Sequence, residues 1–190
     1  MKIFNYSPHL LLYLRMLLGP VLLYGFFHQW SGFSYFTILL IATLTDIFDG
    51  IIARRLGIAT EWLRRADSIV DTIFFVFIFM LLYSGYPETW QRFSIGLYII
   101  FGLEMFRMVH DHIKFNKQAS YHMWSAKLWG LTLLFGFSEV FLSGKGGLFF
   151  LISLIMGIVT NLEGIWASLI LPEWRHDVKS ILHIKRSLNK

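Results

Sequence analysis

The sequence predicts an all-α integral membrane protein, a bundle of six transmembrane helices with cytoplasmic termini. Three observations carry that expectation. Of the 190 residues, 56% are hydrophobic and 15% charged, with a mean hydropathy of +0.58. A soluble domain carries about 25% charged residues, so this chain has too few to wet its surface. Apolar runs long enough to cross a bilayer core, about 20 residues each, recur six times. Lys and Arg then gather on one side of the topology those runs define.

The runs fall at 9–29, 33–53, 68–86, 93–113, 123–143 and 147–171. In the first, Arg15 interrupts the apolar core and no small-residue cleavage site follows, so it reads as a retained span rather than a signal peptide. Ser31-Gly32 separates the first two runs, Gly85-Tyr86-Pro87 the third from the fourth, and the stretch from Ser143 to Gly147 the last two. An even number of spans puts both ends of the chain on one side. That side holds Lys2, Arg54, Arg55, Arg64, Arg65, Arg107, Lys114, Lys117, Lys127, Arg175, Lys179, Lys185, Arg186 and Lys190, against only Arg92 and Lys145 opposite. Positive charge marks the cytoplasmic side. Residues 1–172 therefore read as one six-helix membrane domain and 173–190 as a basic cytoplasmic tail. Two readings of the tail stay open: an amphipathic helix on anionic lipid, or a solvated segment that helps fix topology.

The same figures exclude a soluble two-domain enzyme, a disordered chain and a disulfide-built secreted domain. With no cysteine, thiolate chemistry and cysteine-ligated zinc are excluded too. A net charge of +5 is accounted for by orientation in the membrane. No aromatic-and-basic motif accompanies it, so no nucleic-acid partner is expected.

Chemistry concentrates where acidic groups do. Four of the twelve acidic residues are Asp46, Asp49, Asp67 and Asp71. The first two are three apart near the cytoplasmic end of the second span, the others four apart at the start of the third. Both spacings put the pair on one helical face, and a short loop lets the two faces converge. Four like charges in a low-dielectric setting repel strongly, and an Asp at mid-span costs about 2.5–3.5 kcal/mol on insertion scales. Cations would relieve both penalties. Hard oxygen ligands favour Mg²⁺, Mn²⁺ or Ca²⁺, and carboxylates that can hold two ions side by side suit a two-metal site acting on phosphate oxygens. The competing reading is that the aspartates pair with Arg54, Arg55, Arg64 and Arg65 and merely staple two helices.

Asp46, Asp49, Gly50, Ala53, Arg54, Asp67 and Asp71 match D-x2-D-G-x2-A-R-x8-G-x3-D-x3-D at seven of its eight fixed positions, every gap correct. On this pattern the chain resembles the CDP-alcohol phosphotransferase (CDP-alcohol phosphatidyltransferase) family. Six spans, cytoplasmic termini and size extend the likeness over essentially the whole chain. Three positions depart from the family: Leu63 stands in place of the motif Gly, and His9 and Leu12 in place of the Asn and Thr of an N-terminal P-N-x2-T-x2-R pattern to which Pro8 and Arg15 conform.

The resemblance implies transfer of a phosphatidyl (lipid-phosphate) group from a CDP-linked donor such as CDP-diacylglycerol to an alcohol, releasing CMP, in phospholipid biosynthesis. It implies that Asp46, Asp49, Asp67 and Asp71 hold two divalent ions, Mg²⁺ or Mn²⁺, and that Asp71 is also the general base. Gly50, Ala53, Arg54 and Thr60 would bind the nucleotide of the donor, Arg107 and Lys127 the acceptor or a phosphate, and relatives form homodimers. The residues themselves leave room for less: Gly50 also suits tight helix packing, Arg54 a membrane boundary, Thr60 an ordinary loop. Glu104, Glu139 and Glu163, all within apolar runs, read as hydrogen-bonded helix contacts. Asp67-Ser68 and Asp71-Thr72 depart from the D-P-x2-D-K of glycerol-phosphate users, leaving inositol phosphate, serine, choline-type alcohols and phosphatidylglycerol as acceptors. Three other functions compete: a cation carrier using intramembrane carboxylates, an inactive relative, and a prenyltransferase, which generally needs more spans.

Overall fold

The computed structural model describes residues 7–58, 60–116, 123–173, 178, 180, 181 and 184. The described residues form six α-helices and no strand: α1 Ser7–Phe27, α2 Gly32–Arg55, α3 Glu61–Gly85, α4 Pro87–Phe115, α5 Trp124–Ser143 and α6 Leu148–Ile170. All six are long and apolar enough to cross a membrane. Large apolar side chains such as Leu17, Phe27, Ile95 and Ile113 lie exposed. In water that surface would aggregate, whereas in a bilayer it meets hydrocarbon.

The helices confirm the six apolar runs and shift some of their ends. α3 begins at Glu61, ahead of the expected 68, because Thr60 caps it: its Oγ1 accepts from the Leu63 N–H at 3.2 Å. The first turn is polar, so hydropathy alone passes over it. α4 likewise begins early, at Pro87, a residue suited to the first helical position because it has no N–H to leave unpaired. α2 ends where Gly57 adopts φ +68°, a backbone conformation that costs glycine little. Asn116 ends α4 in the same left-handed region, its N–H donating to the His112 carbonyl at 2.9 Å.

The chain divides into two compact units. The first comprises Met1–Trp90 with Val140–Lys145. Within it α1 packs against both α2 and α3, and Leu22, Ile78, Leu81 and Leu82 are fully buried. At the α2 N-terminus Tyr35 and Tyr86 both pack on Phe141. The second unit comprises Gln91–Glu139 with Gly146–Lys190. Phe150, in the first turn of α6, is fully buried and edge-on to Phe93 and Phe137. Val178 and Ile184, the buried residues described in the tail, join Met123, Ala167 and Leu171 in one apolar cluster. Neither reading of the tail included that docking. Residues 174–177, 179, 182, 183 and 185–190 of the segment lie outside the described residues, as does Lys117 after α4.

Candidate functional site

In the first unit, α2 and α3 run in opposite directions from a short loop, so Asp46 and Asp49 near the end of one meet Asp67 and Asp71 near the start of the other. Carboxylate oxygens of Asp46, Asp49 and Asp67 lie within 4.8 Å of one another. Helix α1 supplies an arginine that neither reading put among them. The Arg15 Nη1 donates to Asp46 Oδ1 at 2.8 Å, to Asp67 Oδ1 at 3.0 Å and to Asp71 Oδ1. Its Nη2 donates to Asp49 Oδ2. Arg15 is only 1% exposed. The carboxylates themselves grade from Asp49, 9% exposed at the side chain, to Asp46 at 46%, so the ring is closed beneath and open on one side.

The staple reading put flanking arginines against the aspartates. The arginine found in the ring is instead Arg15, which the sequence reading recorded as an interruption of the first apolar run and as a pattern match, without a partner. The signal was available: an unpartnered arginine inside an apolar span is untenable, so it demanded carboxylates from neighbouring helices. Arg54 folds back along its own helix, with its Nη1 3.2 Å from where a Cβ on Gly50 would stand. Gly50 and Arg54 are thus brought together, one and two turns beyond Asp46 on α2. The side chains of Arg64 and Arg65 lie outside the described residues.

Ala53 is buried in an apolar cluster with Leu12, Leu63 and Val70, and Ile58 and Ala66 pack against it. Two of the departures from the family pattern, Leu12 and Leu63, therefore meet. The third is adjacent, since His9 stacks on Trp62 with ring centroids 5.8 Å apart. The His9 Nδ1 is buried without a hydrogen-bond partner. The three substitutions form one local repacking between the first turns of α1 and α3. Leu12 and Leu63 bury apolar area against each other's cluster. Thr60, expected to touch the nucleotide, caps α3 and is exposed.

The basic pair expected at the acceptor belongs to the second unit. Arg107 pairs with Glu104 one turn earlier and rests on the bare face of Gly164. Lys127 is exposed, its Nζ 4.7 Å above the Trp124 ring. Glu139 accepts from the N–H groups of Gly147 and Phe150 at 3.0 and 2.9 Å, capping α6. The Ile181 N–H reaches Glu163 at 3.4 Å. One buried carboxylate escaped sequence analysis: Asp111, which accepts from Ser168, itself 2.9 Å from His110 Nδ1. It lies at the very end of an apolar run, where an acidic residue reads as a boundary.

Six apolar helices and a ring of carboxylates on two of them, gathered around a buried arginine, describe a multi-pass membrane protein with an acidic cluster within its helices. The chain belongs to the CDP-alcohol phosphatidyltransferase family, which it matches over residues 5–176. It matches none of the curated proteins and none of the solved structures with which it was compared. Family membership carries phosphatidyl transfer from a CDP-linked donor in lipid synthesis, generally with a divalent metal.

Proposed function

We propose that this protein transfers a phosphatidyl group from a CDP-linked lipid such as CDP-diacylglycerol to an alcohol and releases CMP, at the cytoplasmic face of the membrane. The observation that carries the reading is the convergence of four carboxylates from two helices around one positive charge. That arrangement fits divalent ions on its own chemistry: the donors are hard oxygens, three of them close enough to share an ion, and a cation already stands at their centre. Asp46, Asp49, Asp67 and Asp71 would hold two Mg²⁺ or Mn²⁺ ions, which supply Lewis-acid stabilisation of charge on phosphate oxygens.

The chain's own residues do the remainder. Asp71, whose side chain is 37% exposed, accepts the proton of the attacking hydroxyl. Gly50 leaves the backbone of α2 approachable, Ala53, packed against Leu12, Leu63 and Val70, fixes the turn of α2 that meets the donor, and the Arg54 guanidinium above Gly50 clamps a phosphate or the cytosine ring. Thr60 holds the first turn of α3, and with it Leu63, in register with the donor. Arg107 and Lys127 serve the acceptor. The unit of function is the six-helix domain 1–172, working as a homodimer, with 173–190 as its cytoplasmic tail and both termini inside the cell.

The test is direct. Purified protein is incubated with CDP-diacylglycerol, Mg²⁺ or Mn²⁺ and a panel of alcohols, and CMP is measured. CMP release that depends on one acceptor supports the reading and names the subgroup. Ion flux in liposomes without CMP would instead identify a carrier, and neither activity would mark an inactive relative.

A further inference from the structure

The way Arg15 is held is unusual for a structural ion pair. A stable arginine–carboxylate pair uses the fork of the guanidinium, two parallel N–H groups on one carboxylate. Here Nη1, with two hydrogens, faces three carboxylates, Nη2 faces one, and Nε is buried with no partner. Nη1 therefore cannot satisfy all three of its acceptors at once. The side chain sits as a point charge, the manner in which an ion occupies a ring of oxygens. The charge count agrees. Four carboxylates carry −4 and the Arg15 guanidinium at their centre returns +1, whereas two divalent ions at that centre would neutralise the four carboxylates completely. An arginine cannot discharge by losing its proton. Once such ions were bound to the same oxygens, it would remain a like charge at contact distance and be repelled.

We propose that Arg15 is a displaceable place-holder: it occupies the carboxylate ring when divalent ions are absent and leaves it when they load. The exchange rests on the divalent-ion reading given above. Its role is to keep α1, α2 and α3 assembled before loading, since four unneutralised carboxylates would drive α2 and α3 apart. Arg15 is thus a positioning residue. Retention in the ring and metal occupancy exclude one another.

The exchange is tested on the full chain in detergent, with Mn²⁺ as the probe. Arginines are labelled with phenylglyoxal in EDTA or in saturating Mn²⁺ and read by peptide mass spectrometry, with Mn²⁺ binding followed by electron paramagnetic resonance. Arg15, 1% exposed in the ring, is expected to label slowly in EDTA and several-fold faster with Mn²⁺, while exposed Arg92 stays constant. Arg15 labelling that is unchanged or slower in Mn²⁺-bound protein overturns the proposal and leaves the function intact. Wild-type protein that binds no divalent ion and releases no CMP overturns the function itself. As a second arm, Arg15→Gln is expected to bind Mn²⁺ about tenfold more tightly, its competitor being gone, and to melt earlier than wild type in EDTA but not in Mn²⁺. Equal or weaker Mn²⁺ binding by this variant counts against displacement. Should Arg15→Gln fail to fold under both conditions, wild-type labelling decides.

Discussion

The two units handle buried acid in opposite ways. In the second, each carboxylate within the helices has partners of its own: Asp111 has Ser168, Glu104 has Arg107, Glu139 has the first N–H groups of α6, and Glu163 has the Ile181 N–H. In the first, four carboxylates are gathered round one guanidinium. A carboxylate with its own donor stabilises a fold, because the hydrogen bond offsets its desolvation. Carboxylates crowded onto one shared guanidinium do not maximise stability. They concentrate negative potential that a divalent cation relieves, a property useful for chemistry. The contrast separates acidic residues held for folding from those held for reaction.

That contrast can be broken most decisively at Asp71. Replacing it with Asn should lower CMP release by at least about 100-fold, the scale of a lost general base, while the protein still binds its CDP-lipid donor. Retained turnover would put Asp71 among the folding carboxylates. Chelation should likewise reduce CMP formation to background, and added Mg²⁺ or Mn²⁺ should restore it. Turnover in excess EDTA would remove the distinction.

Next in size is the leucine pair. Leu63→Ala should cost roughly 2–5 kcal/mol in stability, as buried leucines do, measured by thermal or denaturant unfolding in detergent. Leu12→Ala combined with it should be non-additive by about 0.5–3 kcal/mol. Strict additivity would show that the two departures do not act as one repacking. Within the second unit, Ser168→Ala leaves Asp111 without its hydroxyl donor and should destabilise by about 1–3 kcal/mol, with CMP release per folded molecule retained. The smallest effect is expected for Glu139→Gln, about 0.3–1 kcal/mol from the lost charge at the α6 N-terminus. Loss of activity in a normally folded Ser168 or Glu139 variant would mean that the second unit's carboxylates are not merely structural.

Much of this was legible without coordinates. Hydropathy located all six helices because crossing a bilayer is a property of a contiguous run. It misplaced the start of α3 because the Thr60 cap and the polar turn after it extend a helix without adding apolar residues. The spacing of Asp46 with Asp49 and of Asp67 with Asp71 announced paired carboxylates, since three- and four-residue steps share a helical face. The use of Thr60 as a cap was hidden, because a hydroxyl before a helix and a hydroxyl in a ligand site look alike in sequence. The docking of Val178 and Ile184 was hidden too, by the basic residues around them that advertise a solvated tail.

By itself the sequence determined the membrane class, the six helices and which carboxylates lie on a common face, because each depends on residues near one another along the chain. The tertiary structure alone decided that Arg15, 31 residues from Asp46 and 56 from Asp71, enters the ring. It also decided that Leu12 and Leu63 fill one cluster. Those outcomes turn on which face of α1 meets α2 and α3, and no local pattern encodes it. The chain must pack before a buried charge finds its counter-charges and two leucines find each other.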